Sequence, residues 1–133
     1  MKISTRGRYS LRVMIDLAEH IDGGYIPLKD VVARQGVSQK YLEGIMTDLS
    51  KAGVVFALHG KGGGYKLSRS PEKITVGEVL RITEGDLAPI ACLEENAVPC
   101  ERAGECKTLP MWNELNEVIA KFFDEKTIAD FLK

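Results

Sequence analysis

Three cysteines, Cys92, Cys100 and Cys106, fall within fifteen residues, with seven and five residues between them. An odd number of thiols in an intracellular chain points away from a disulfide framework. Three thiolates on one loop can instead ligate a soft metal or an iron–sulfur cluster, given a fourth ligand. Glu94, Glu95, Glu101 and Glu105 stand among them. Such acid density raises thiol pKa values by like-charge repulsion unless a metal neutralises it, which favours a cofactor-linked role over bare reactive cysteines. A metal-free thiol sensor and a zinc site are the alternatives. A cytosolic redox protein or enzyme using a cysteine nucleophile would need a base. His20 and His59 are the only histidines, both lie far in sequence from the cysteines, and no paired acid–base constellation accompanies them. The chain therefore reads as a non-enzyme.

The elements that must position this loop divide the 133 residues unevenly. Residues 1–69 hold 11 Lys+Arg and 6 Asp+Glu, net +5, whereas residues 70–133 hold 7 and 13, net −6. The basic front half, with Lys2, Arg6, Arg8 and Arg12 before any acid, is the footprint of a surface that meets phosphates. Apolar residues at 44% and charged residues at 28% are ordinary for a globular chain. No apolar run approaches the roughly 18–20 residues of a membrane span, and Met1 to Arg6 does not open a secretory signal. A cytoplasmic location without membrane contact is expected.

Along that front half, Ser4 or Thr5 opens a first helix carrying Leu11, Met14, Ile15 and Ala18 at helical spacing, and Gly23-Gly24 ends it. A short second helix turns Leu28, Val31 and Val32 inward. Gln35-Gly36-Val37 is a tight turn, and Ser38 is a good N-cap for a third helix. Leu42, Ile45, Met46 and Leu49 form its buried stripe, and Gly53 closes it. Val54 to Leu58 reads as a strand, residues 59–64 as a glycine-rich tip, and Tyr65-Lys66-Leu67 as the returning strand.

Three helices followed by a hairpin make a winged helix-turn-helix, in which the third helix enters the DNA major groove. Its outward residues are Ser38, Gln39, Lys40, Glu43 and Thr47, with Tyr41 near the start. Gln39 can bond adenine bidentately, Lys40 can reach guanine or a phosphate, and Glu43 can accept from cytosine N4. Lys61, Gly62 and Gly63 let the tip approach a groove or a phosphate, with His59 as a further contact. The tip does not match a nucleotide-binding loop, because no helix follows and no Gly-Lys-Ser/Thr occurs. A winged helix used only for protein contacts is the competing reading, separable by salt-dependent duplex binding.

Downstream, Thr75-Val76-Gly77-Glu78 reads as a capping box for a helix with Val76, Val79, Leu80 and Thr83 on one face. Residues 85–107 show no periodicity, and a loop of that length is functional or disordered. Thr108 and Pro110 start a long helix. Met111, Leu115, Val118 and Phe122 repeat as 4-3-4, while Trp112, Ile119 and Phe123 widen the stripe. One face fits the chain's own core and another a partner helix. Residues 127–132 read as a closing amphipathic turn. The expected class is mainly α with a small β-hairpin: a winged helix-turn-helix over 1–84, a cysteine-bearing loop over 85–107, and a long dimerisation helix with a tail over 108–133.

Met1-Lys2-Ile3-Ser4-Thr5-Arg6-Gly7-Arg8-Tyr9, Val37-Ser38-Gln39-Lys40-Tyr41-Leu42-Glu43 and Gly60-Lys61-Gly62-Gly63-Gly64-Tyr65-Lys66-Leu67 together resemble the bacterial iron–sulfur cluster regulator (IscR/NsrR/CymR-type) family of winged-helix repressors. Ile74 to Leu80 and the long helix extend the likeness over essentially the whole chain. The resemblance implies a cytoplasmic homodimer that binds palindromic operators in double-stranded DNA and regulates iron–sulfur or cysteine metabolism or a redox or nitrosative response. Lys2, Arg6 and Arg8 join the DNA-contacting set. It also implies a 2Fe-2S or 4Fe-4S cluster on Cys92, Cys100 and Cys106. The spacing from Cys92 to Cys100 is longer than in the cluster regulator itself, and two positions depart from the pattern. Leu109 stands where the cluster regulator has a histidine ligand, and Arg8 stands nearest to where other members have an acidic one, so the fourth ligand is unassigned.

Overall fold

The computed structural model describes residues 2–22 and 24–132. The Ser4 hydroxyl accepts from the Gly7 N–H and starts helix α1 (Thr5–Glu19). The helix stops earlier than expected: His20 closes it by donating its N–H to the Leu17 carbonyl, and Gly23 lies outside the described residues. Helix α2 (Leu28–Gln35) ends on Gly36 at φ 67°, the left-handed corner that favours glycine. Two residues later the Ser38 hydroxyl accepts from the Tyr41 N–H and starts α3 (Gln39–Lys51). Strands β1 (Val55–Leu58) and β2 (Gly64–Leu67) pair antiparallel, with Val55 opposite Leu67 and Leu58 opposite Gly64. Val54, expected as the first strand residue, sits buried just ahead of β1. Ile26 exchanges backbone hydrogen bonds with Tyr65 at 2.8 and 2.9 Å, adding one rung to the hairpin from the segment before α2.

The α3 stripe is buried as expected: Leu42, Ile45, Met46 and Leu49 are inaccessible to solvent. They meet Val13, Met14 and Leu17 of α1, Val31 of α2, and Val54 and Val55 in one core. Removing that apolar surface from water is what holds the three helices against the hairpin. Helix α4 (Val76–Glu84) crosses α1, and Val76, Leu80 and Leu87 form a second, smaller core with Ile119 and Phe123. At the α4 start only half of the expected capping box forms. Thr75 accepts from the Glu78 N–H, but the Glu78 carboxylate pairs with Arg69 instead of reaching back. Thr83 is half-buried, and its hydroxyl donates to the Leu80 carbonyl.

Helix α5 (Leu109–Glu125) buries no residue completely. Ile119 and Phe123 face the smaller core, while Met111, Leu115, Val118 and Phe122 are 51, 38, 58 and 56% exposed. The chain then returns to the main core. A 3-10 turn, Ile128–Phe131, opens on a reciprocal Thr127–Asp130 capping box, and Ile128 is fully buried among the α1 and α3 side chains. The Ile128 N–H donates to the Ile74 carbonyl and the Val76 N–H to the Lys126 carbonyl. The architecture is a mainly helical winged helix-turn-helix with a long carboxyl-terminal helix. No helix among the described residues is long and apolar enough to cross a membrane.

Candidate functional site

The outer side of α3 is polar because every apolar side chain at its period faces the core. Gln39, Lys40, Glu43 and Thr47 are exposed on it. Gln39 Nε2 donates to Glu43 Oε1 at 3.2 Å, so these two polar heads lie together one turn apart. The Ser38 hydroxyl is occupied as the cap, and Tyr41 turns partly inward, its ring edge-on to Tyr9 at 6.0 Å. At the hairpin tip the Gly63 N–H donates to the Gly60 carbonyl at 3.0 Å, and Gly62 takes φ 77°. This leaves Lys61 exposed at the apex. Glu43 and Thr47 of α3, Leu28 and Lys29 of α2, and His59 and Gly63 of the tip line one open groove. The structure thus brings the α3 face and the tip to one side of the molecule. Lys29 was not singled out from the sequence; as a lone lysine beside Asp30 it carries no signal until α2 is placed.

Three basic residues of the amino terminus are placed apart from one another. Arg8 is exposed, and its guanidinium donates to the Thr5 hydroxyl. Lys2 shares a cleft with Glu84, Asp86 and Leu87. Arg6 does not point to solvent as a free cation: Nε and Nη2 donate to Asp48 Oδ2 of α3 at 3.1 and 2.6 Å. Sequence periodicity gave no sign of that pairing, which joins residues 42 positions apart.

A second unforeseen group is Asp16, a carboxylate 1% exposed within the apolar face of α1. It accepts from Arg34 in a two-pronged bond, 2.7 Å at its shortest, and from Gln35 Nε2 at 2.8 Å. The Asp16 carboxylate raises the Arg34 pKa above its ordinary value, chiefly through that hydrogen bond. Arg12 donates to the Gln35 side chain and carbonyl and lies over the Tyr9 ring at 4.4 Å. These bonds tie the end of α2, and hence the helix-turn-helix corner, to α1.

The cysteine loop leaves α4 through Gly85. Asp86 organises its first part, accepting from the Ala88 N–H at 2.7 Å and the Glu95 N–H at 2.8 Å, on either side of Cys92. The Glu95 and Ala88 bonds hold the Asp86 pKa below the ordinary carboxylate range. The folded value lies below the unfolded one, so this contribution is complete above about pH 4. It is lost as pH falls through the folded value. Asp86→Asn is expected to speed amide hydrogen exchange at Ala88 and Glu95 while the α1–α3 core keeps its protection; unchanged exchange at both amides would remove the anchoring role.

Cys92 and Cys100 are exposed and Cys106 is half-buried. Hydrogen bonds from Thr108, side chain first and then backbone, lower the Cys106 pKa below the ordinary thiol value, with the Leu109 N–H at the start of α5 contributing. The three thiols are not gathered. Among the described residues no three histidine, cysteine or acidic side chains stand together where they would hold a metal ion. The donor set suits an iron–sulfur cluster in kind but not in the arrangement described, and closure of the loop would be required to unite it.

Comparison with known proteins agrees with this geometry. The Rrf2 family model, described as an iron-dependent transcriptional regulator, matches residues 3–133. The protein rrf2 of Nitratidesulfovibrio vulgaris is 38% identical over 133 residues, covering 100% of this chain and 88% of that one. Among solved structures, the global cysteine regulator CymR of B. subtilis superposes with a TM-score of 0.77 at 33% identity, covering 98% of this chain and 95% of that one. The IscR structure of T. potens gives 0.76 at 36% identity, covering 99% and 86%. Both likenesses run through the hairpin, the cysteine-bearing segment and the long helix rather than stopping at a shared helix-turn-helix, and with them the chain belongs to the Rrf2 family of transcriptional regulators.

Proposed function

We propose that this regulator is a cytoplasmic homodimeric repressor that reads a palindromic operator in double-stranded DNA and is controlled through its 85–107 loop. The observation that carries the DNA reading is the shared side of α3 and the glycine tip. Exposed Gln39, Lys40 and Glu43 stand at the helix start, and Lys61 stands at the apex of the hairpin that flanks it. In that placement α3 supplies side chains to base edges, while Lys61, His59 and the Gly62 and Gly63 backbone meet the phosphates. Arg8, exposed on α1, adds a sequence-independent contact. The α5 stripe of Met111, Leu115, Val118 and Phe122 supports dimerisation, because its 4-3-4 spacing fits a partner helix and this chain leaves it exposed.

The loop supports a sensor of iron–sulfur or cysteine supply, or of redox or nitrosative stress. Cys92, Cys100 and Cys106 are the residues that would hold an iron–sulfur cluster, and such a group supplies sensitivity to oxidants and to iron. A metal-free thiol sensor is the second reading. It is favoured by the separation of the thiols and by the lowered Cys106 pKa.

Two measurements test the proposal. Fluorescence anisotropy with a palindromic duplex selected from a random pool is expected to show affinity falling steeply between about 50 and 200 mM salt. Binding indifferent to salt would overturn the DNA reading. Iron and sulfide analysis of oxygen-free protein separates the two sensors: both elements are expected in wild type and neither in a folded Cys106→Ala variant. Iron-free, colourless wild type after reconstitution would leave the thiol reading alone.

A further inference from the structure

Three glycines lie inside the described helices: Gly7 in α1, Gly44 in α3 and Gly77 in α4. A glycine costs a helix up to about 1 kcal/mol relative to alanine, so each calls for a local reason. The same reason serves all three. A Cβ on Gly7 would collide with Glu84 Oε1 and one on Gly77 with Asp124 Oδ1, while one on Gly44 would stand 3.2 Å from Arg6 Nη2, close enough that the guanidinium must give way by a few tenths of an ångström. Every helical glycine is therefore a seat beneath a polar bridge between two helices.

The bridges connect in series. Arg81 of α4 donates twice to Asp124 of α5, at 2.6 and 3.1 Å, above Gly77. Glu84, three residues further along α4, accepts from the Ser4 N–H at 3.1 Å and from the Ser4 hydroxyl, above Gly7. That hydroxyl is also the cap of α1, accepting from the Gly7 N–H. Two residues after Ser4, Arg6 bonds Asp48 of α3 across Gly44. Glu84 is the last residue of α4, and the cysteine loop begins at the next position.

We infer that these three glycine-seated bridges form a relay that transmits the position of α5 and the loop root to the DNA-reading helix. Ser4, Glu84, Arg6 and Asp48 act in it as positioning residues. Unlike apolar contacts, which slide, such bonds are directional and either made or broken, the kind of discrete element that coupling between distant sites requires. The inference rests on the DNA-binding reading above. It deepens that reading by naming how the loop and the operator feel one another.

Coupling is reciprocal, so operator binding should alter the loop as much as the loop alters operator binding. The test is hydrogen exchange of peptides spanning residues 85–107 in the full chain, with and without a saturating selected duplex. Wild type is expected to show a change in loop exchange of about fivefold or more. Glu84→Ala, which cuts the Ser4 bridge, and Gly7→Ala, which displaces Glu84, are each expected to abolish that change while the duplex still saturates. Glu84→Gln keeps an acceptor for Ser4 and is expected to retain it. A merely stabilising contact would lower the thermal midpoint and leave the response to DNA intact, and that result in Glu84→Ala would overturn the relay. So would a wild-type loop indifferent to bound operator. Failure of wild type to bind any duplex would overturn the DNA-binding reading together with the relay.

Discussion

Leu115→Glu combined with Val118→Glu is expected to give a folded monomer whose affinity for a two-half-site duplex is about 10²–10⁴-fold lower. Both side chains lie on the exposed side of α5, whereas Ile119 and Phe123 make that helix's contacts with its own core. Two carboxylates on the stripe therefore leave the intramolecular core unaltered. In a seam between two copies they would be desolvated and close to their own symmetry mates, which costs far more than the seam gains. Without the seam each α3 binds a half-site alone, and the effective concentration that links the second half-site to the first is lost. Sedimentation equilibrium checks the oligomeric state, and anisotropy on full-site and half-site duplexes checks the affinity. A variant that remains dimeric, or that binds the full site as tightly as wild type, would exclude α5 as the joining surface. Half-site affinity is expected to be nearly unchanged.

Lys40→Ala is expected to weaken operator binding by about 1–3 kcal/mol, roughly 5–150-fold, and to relax base preference at one position. Lys40 is exposed on the first turn of α3, two residues after the Ser38 cap, and it takes no part in the Gln39–Glu43 bond beside it. In the proposed docking its ammonium is thus available at the leading end of the helix. Truncation at an exposed site away from the Leu42–Leu49 stripe leaves folding intact, which circular dichroism will confirm. Binding measured across a panel of single-base variants of the selected duplex reads the preference. An equal loss on specific and random duplexes would make Lys40 a phosphate contact.

Much of this architecture follows from local pattern. The i, i+3, i+4, i+7 stripe of α3, the Ser4, Ser38 and Thr75 caps, and the run of glycines between two short β-forming segments are each encoded within a few residues. Each is found where that pattern places it. What escaped the sequence is non-local. Ser4 and Glu84 are 80 positions apart and Arg6 and Asp48 are 42 apart; no periodicity can pair them. Asp16 looks like a polar interruption of an apolar face until α2 brings Arg34 and Gln35 over it. Ile74 and Leu87 belong to segments without a helical or strand period, so their burial had no signature. The thiol loop is the extreme case. Its ligand chemistry is plain in composition, but the distances between the thiols depend on a backbone path that no repeat or cap specifies. Gly7, Gly44 and Gly77 did offer a clue: a glycine within a helical pattern signals close approach by something else.

Ile128 seals the same core that α1 and α3 fill, and the backbone on either side of it is stitched to the root of α4. The far half of α5 is therefore moored, through Ile119 and Phe123 against Leu87 and through Asp124 on Arg81, and its Leu109 end follows closely on the last cysteine. The ten residues from Leu109 to the first of these contacts form a beam about 15 Å long. A sideways shift of about 3 Å at its free end becomes a swing of roughly eleven degrees about the mooring. Two such beams laid against each other across a dyad would swing in opposite senses, so that a small slackening near Cys106 would open or close the span between two reading heads.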